Sequence, residues 1–113
     1  MTGGSGADSF VFNQSDFGLN IITDFASGSD HLDISASGFG GGLIQGGTPT
    51  VLTVADASSA SNLGSNGYFI FDNAGANAGT LYWDSTGGSS ADAIPLAMLA
   101  GVNSVLVSDF HLV

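Results

Sequence analysis

Lysine, arginine, glutamate and cysteine are all missing from these 113 residues, and only two histidines and two prolines occur. Without a basic side chain, no Lys or Arg salt bridge forms. Nothing can make the counterion-releasing contacts on which nucleic-acid affinity rests, and a net charge of −10 repels phosphate, so nucleic acid is excluded as a partner. The phosphate-cradling lysine loop is excluded for the same reason. Without cysteine there is no disulfide framework and no zinc-thiolate site. No apolar run approaches membrane-spanning length, so membrane insertion is not expected. The opening MTGGSGADSF has neither the basic nor the apolar region of a secretory signal peptide.

What the chain does have is aspartate. All ten acidic residues are Asp, and their charge has to be offset by water, backbone N–H groups, hydroxyls, the two histidines, the amino terminus or bound cations. Eighteen glycines and this charge would suit a disordered chain, but eight phenylalanines and a mean hydropathy of +0.35 supply a core. The length suits a single domain, residues 1–113, near the size at which small domains gain from an outside stabiliser.

The elements read as β. Ser9–Asn13 alternates with Phe10 and Phe12 on one face, Ile21–Phe25 is rich in β-formers, and His31–Ser35 puts Leu32 and Ile34 inward. The glycine cluster 38–42 predicts a break and a mobile loop, and Pro49–Val54 a further strand. Residues 55–67 suit either a short helix or a loop. Tyr68–Asp72 and Gly79–Asp84, joined by an Asn/Gly turn, predict a β-hairpin. Residues 94–101 suit a helix with Pro95 near its start or an edge strand, the alternation of Ile94, Leu96 and Met98 favouring the strand, and residues 104–107 read as a strand leading to a final apolar tail. The expected core is Phe10, Phe12, Phe25, Ile34, Phe69, Phe71 and Trp83. No repeat is expected to recur at a fixed period.

Gly3-Gly4-Ser5-Gly6-Ala7-Asp8-Ser9-Phe10-Val11 fits the nonapeptide G-G-x-G-x-D-x-U-x at every specified position. Glycines permit positive φ and bring carbonyls together, Asp8 supplies an anionic oxygen, and Phe10 opens a strand. Gly6-Ala7-Asp8-Ser9-Phe10-Val11-Phe12, followed by Ile22-Thr23-Asp24-Phe25-Ala26-Ser27-Gly28-Ser29-Asp30-His31-Leu32-Asp33-Ile34-Ser35, resembles the C-terminal region of RTX (haemolysin-type repeat) secreted proteins, including the serralysin-type metalloproteases. Gly79-Thr80-Leu81-Tyr82-Trp83-Asp84 and the ending Ser108–Val113 are similar to the same domains. Residues 36–67 match least, and one glycine-rich repeat stands where the family has an array, so the activity of whole family members does not carry over.

The resemblance implies an all-β fold in which residues 1–12 form the last turn of a parallel β-roll, running into a small β-sandwich or β-sheet domain over residues 13–113 that caps the roll. It implies Ca²⁺ held by the carbonyls of Gly4 and Gly6 and the carboxylate of Asp8, with Asp24, Asp30 and Asp33 as further candidates. Calcium takes about 6–8 oxygens, so the first three make half a site, to be completed by upstream β-roll repeats or by a second copy at the open roll edge. It also implies a secreted, extracellular protein whose terminal Asp109, Phe110, His111, Leu112 and Val113 are read by a type I secretion apparatus, with Phe110–Val113 needed for export and not for folding.

The loop Asp84–Asp92 fails the EF-hand pattern, having Thr86, Gly88 and Pro95 at the third, fifth and twelfth positions. It is either a weak oxygen-lined site or a plain turn. No G-x-S-x-G elbow or H-E-x-x-H pair occurs, and His31 and His111 stand far apart in sequence, so the chain is not expected to be an enzyme. Two other readings stay open. One is a surface adhesin or carbohydrate-binding β-module stacking sugars on exposed Tyr68, Tyr82 or Trp83. The other is a small acidic hydrolase.

Overall fold

The computed structural model of the chain describes residues 2–14, 20–56, 61–62, 66–89 and 93–113. Its strands are β1 (Ser9–Phe12), β2 (Asn20–Ile22), β3 (His31–Ile34), β4 (Val51–Val54), β5 (Ser61–Asn62), β6 (Tyr68–Asp72), β7 (Thr80–Asp84), β8 (Gly88–Ser89), β9 (Ile94–Leu99) and β10 (Phe110–Leu112); the one α-helical turn, α1, spans Ala36–Phe39. The fold is therefore predominantly β. One sheet is ordered β1-β3-β10 and entirely parallel, a second is ordered β2-β9-β7-β6-β4 with mixed pairing, and β5-β8 is a small ribbon.

The first sheet follows the period-two pattern of its sequence. Phe10, Phe12, Leu32, Ile34, Phe110 and Leu112 are buried, while the residues between them face outward. From the second sheet, Ile22, Phe69, Phe71, Leu81, Trp83 and Leu96 enter the same hydrophobic cluster. Phe69 lies at its centre, with its ring 4.7 Å from Trp83 and 4.9 Å from Phe110. All seven residues expected in the core are buried. The hairpin forms as expected, with Tyr68 opposite Asp84 and Phe69 opposite Trp83. Strand β6 is buried on both faces, because Tyr68 and Ile70 meet Leu52, Val54, Tyr82 and Ala93 on the far side. Gly67 lies so close to the Trp83 ring that an added Cβ would fall 2.4 Å from it.

Several boundaries differ from expectation. The second strand ends at Ile22, and Phe25 reaches the core from the following turn, packing 6.2 Å from Phe10. Residues expected to break at Gly38 instead close one helical turn, because Ser35 Oγ accepts the Gly38 N–H at 3.1 Å and the glycine-rich loop starts only at Gly40. β9 is not an edge strand, since it lies between β2 and β7. Pro95 is accommodated at a register shift and outside the stretch Ala97–Leu99 that pairs with β2, where no ladder N–H is required of it. Residues 102–106 form no strand, and residues 107–109 form a 3-10 turn. The expected tail is a core strand: Phe110 and Leu112 are buried in β10, so this segment serves the fold. Of the stretch 55–67, residues 57–60 and 63–65 lie outside the described residues.

Phe69→Ala is expected to lower the free energy of unfolding by about 3–5 kcal/mol, the range for truncating a buried aromatic. Ile44→Ala, at a side chain 72% exposed, is expected to change it by less than about 0.5 kcal/mol. Urea unfolding of the two variants measures both.

Candidate metal and stacking site

Four of the aspartates in the described residues, Asp30, Asp72, Asp84 and Asp109, are almost wholly buried. A buried carboxylate needs strong donors, and with no Lys or Arg in the chain the backbone supplies them. Asp30 stands immediately before β3. Its Oδ1 accepts the N–H of Asp8 at 2.9 Å and its Oδ2 that of Ala26 at 2.9 Å. Asp109 stands immediately before β10. Its Oδ1 accepts the Gly28 N–H at 2.8 Å, and its Oδ2 accepts the Leu106 N–H at 2.8 Å and the Ser27 hydroxyl at 2.5 Å. Asp24 accepts the N–H groups of Gly3 and Gly4, at 2.9 and 2.8 Å. In all three cases a carboxylate reaches from a later turn back to an earlier one, so adjacent turns are stapled together.

Those two N–H donors from Gly3 and Gly4 hold Asp24 below the usual carboxylate range. Because its folded-state pKa is the lower one, its contribution is present above the ordinary carboxylate pKa and is lost as pH falls through the folded value.

Asp8 holds the equivalent place before β1 but is bonded differently. Its N–H goes to Asp30 and its carbonyl accepts the His31 N–H at 2.7 Å, while carboxylate oxygen Oδ2 is buried with no hydrogen-bond partner. It lies over Gly3, where an added Cβ would fall 2.4 Å away. The turn around it is built on Gly4 and Gly6, at φ of 85° and 89°, a conformation that side-chain-bearing residues avoid. Gly3 and Gly4 have already given their N–H groups to Asp24. Neither of these two N–H groups therefore serves the Asp8 carboxylate.

The structure thus brings Gly4, Gly6, Asp8, Asp24 and Asp30 together in stacked turns and leaves Asp33 apart. Asp33 is on the outer face of the parallel sheet, its Oδ1 3.4 Å from Nδ1 of His111. His31 and His111, remote in sequence, stack there with ring centroids 4.1 Å apart. Among the described residues, no three acidic, histidine or cysteine side chains group as a metal site. A site with one carboxylate and several carbonyls does not require such a group. In the Asp84 loop, Asp84 Oδ1 accepts the N–H and hydroxyl of Thr86, its Oδ2 is buried without a partner, and Asp92 lies outside the described residues.

The sugar-stacking alternative loses two of its three platforms, because Tyr68 and Trp83 are enclosed in the core. Burial, followed by the charge of Asp84, raises the Tyr68 pKa, and its hydroxyl donates to the Gly88 carbonyl at 2.9 Å.

A recurrence in the sequence was missed. Gly6-x-Asp8-x-Phe10-x-Phe12 returns as Gly28-x-Asp30-x-Leu32-x-Ile34, 22 residues on, and these segments pair residue for residue, with Gly28 at φ 88° matching Gly6. Asp109 had been assigned to an export tail, and nothing in its local sequence marks it as the staple of Gly28. No protein-family model, curated protein or solved structure matches the chain.

Asp30→Ala and Asp109→Ala are each expected to cost about 1–2 kcal/mol of stability by removing the charged acceptor of part-buried N–H groups. For Asp24→Asn, the difference in stability from wild type is expected to shrink as pH falls from neutrality into the acid range. Chemical denaturation at several pH values measures both effects.

Proposed function

We propose that the chain is a non-catalytic, calcium-binding module that caps the end of a β-roll and carries the export signal of an RTX-type secreted protein. The observation that carries this reading is the buried, unpartnered Oδ2 of Asp8 inside a turn shaped by Gly4 and Gly6. A hard divalent cation suits that oxygen, since the chain has no lysine or arginine to offer and the N–H groups of Gly3 and Gly4 are committed to Asp24. Gly4 and Gly6 would add carbonyl oxygens. Bound calcium supplies charge neutralisation and a fixed turn geometry; a neighbouring turn completes its shell. Asp24 and Asp30, with both oxygens engaged by N–H groups, shape the turns around the ion.

The capping role is supported by the unlike edges of the parallel sheet. At β10 the chain covers its own edge: Gly46 donates its N–H to Leu112 at 2.7 Å, and residues 47–49 line a cleft with Phe110 and His111. At β1 the Asp8, Phe10 and Phe12 backbone groups turn to β3, leaving those of Ser9 and Val11 toward an edge that no other described strand pairs with. A module closed at one end and open at the other is suited to terminate a stack.

Calcium is expected to raise the melting temperature relative to chelator, a stabilisation of about 2.7 kcal/mol when free calcium exceeds Kd a hundredfold. Asp8→Asn should diminish the shift more than Asp56→Asn does. Superimposed melting curves at millimolar calcium would remove the metal assignment.

The export role rests on Asp109–Val113, within which Asp109, Phe110 and Leu112 are buried while the side chain of His111 is 51% exposed and Val113 is 48% exposed. Replacing His111 and Val113 together by Ser is expected to lower secretion of a fusion through a type I apparatus while costing no more than about 1 kcal/mol of stability, the scale of the exposed His111–Asp33 contact it removes. Undiminished secretion would leave β10 as a structural strand only.

A further inference from the structure

We propose that the open end of the β6–β7 hairpin holds a hard-cation site built on the carboxylate of Asp84, separate from the Gly4–Gly6 turn and independent of it.

Asp84 is the last residue of β7 and is fully buried. Its two oxygens stand in different environments. Oδ1 accepts the N–H of Thr86 at 3.0 Å and the Thr86 hydroxyl at 3.2 Å, whereas Oδ2 is buried and accepts from nothing. An enclosed carboxylate oxygen without a partner leaves the desolvation cost of its charge uncompensated.

The groups beside it offer oxygen and not charge. Tyr68 lies directly opposite Asp84 in the hairpin register, so the two side chains share a face. They are close enough that the carboxylate, after burial itself, helps to raise the Tyr68 pKa. The Tyr68 hydroxyl hydrogen is committed to the Gly88 carbonyl at 2.9 Å, since a carbonyl can only accept. What Tyr68 presents to its surroundings beyond that bond is an oxygen lone pair. The chain has no lysine or arginine, and both histidines belong to the parallel sheet. A carboxylate, a phenol oxygen and a carbonyl in one neighbourhood form the donor set of a hard cation such as Ca²⁺, not of a soft metal.

Entry to the site is through the loop above it. Ser85, Thr86, Gly88 and Ser89 are exposed, and Gly88, at φ 88°, turns the chain into the β5–β8 ribbon. Carbonyls of this loop and water complete the shell of the ion.

Terbium(III) is the probe, because it takes the oxygen ligands of calcium and emits when a nearby tyrosine or tryptophan is excited. The chain's two tyrosines and one tryptophan, Tyr68, Tyr82 and Trp83, all lie in this hairpin. The whole chain carrying Asp8→Asn, which takes the glycine-turn carboxylate out of the reading, is titrated with terbium. Saturable sensitised emission is expected, displaced by excess calcium and lost when Asp84→Asn is added. In the same Asp8→Asn chain with Asp84 intact, calcium is expected to shift the amide NMR resonances of Thr86 and Gly88, a reading that does not depend on the Asp84 variant folding. Emission that survives Asp84→Asn in a folded chain would overturn the site, as would Thr86 and Gly88 resonances that calcium leaves unmoved. Emission present in the wild-type chain and abolished by Asp8→Asn alone would overturn it too, while leaving the glycine-turn site standing. Failure of the glycine-turn site, in turn, leaves every one of these readings unchanged, since all are taken without the Asp8 carboxylate.

Discussion

The structure depends on finding hydrogen-bond donors for aspartates in a chain that has no lysine or arginine. Burying an ionised carboxylate without a partner costs far more than any single contact returns. Here the partners are backbone N–H groups, taken two at a time by Asp24, Asp30 and Asp109, with the Ser27 hydroxyl as a further donor to Asp109. The glycines that shape those turns matter for the same reason: a turn free of side chains lets a carboxylate approach its N–H groups. Charge and fold are therefore one problem, and each staple joins segments remote in sequence, up to 82 residues apart for Ser27 and Asp109.

This arrangement also separates a fully satisfied aspartate from one with a buried, unpartnered oxygen. Asp30 and Asp8 occupy matching places in a recurring segment, yet the first has both oxygens satisfied and the second has a buried oxygen with nothing to accept from. The difference comes from position in the stack and not from the residue or its neighbours in sequence.

The hydrophobic half of the protein is conventional by comparison. Alternating strands bury one face, an aromatic cluster around Phe69 fills the space between the two sheets, and Trp83 presses against a glycine where no Cβ fits. The C-terminal strand belongs to that core, so a segment with the look of an appended signal is also a structural element. An export role for it has to operate through a strand whose buried residues cannot be varied freely.

The sequence by itself determined the β class, the alternating strands, the hairpin of β6 and β7 and the seven core aromatics and aliphatics, because period-two patterning and turn chemistry are local. It also marked the Gly3–Val11 turn. Tertiary structure decided which strands pair, and hence that Ser9–Phe12 and His31–Ile34 are adjacent parallel neighbours related by a 22-residue recurrence. It decided that Asp24 and Asp30 are satisfied while Asp8 is not, that His31 and His111 stack across the sheet, and that Asp109 clamps Gly28. Those are facts about donors and acceptors brought together from distant parts of the chain, and an aspartate's own sequence context does not say which N–H groups will arrive beside it.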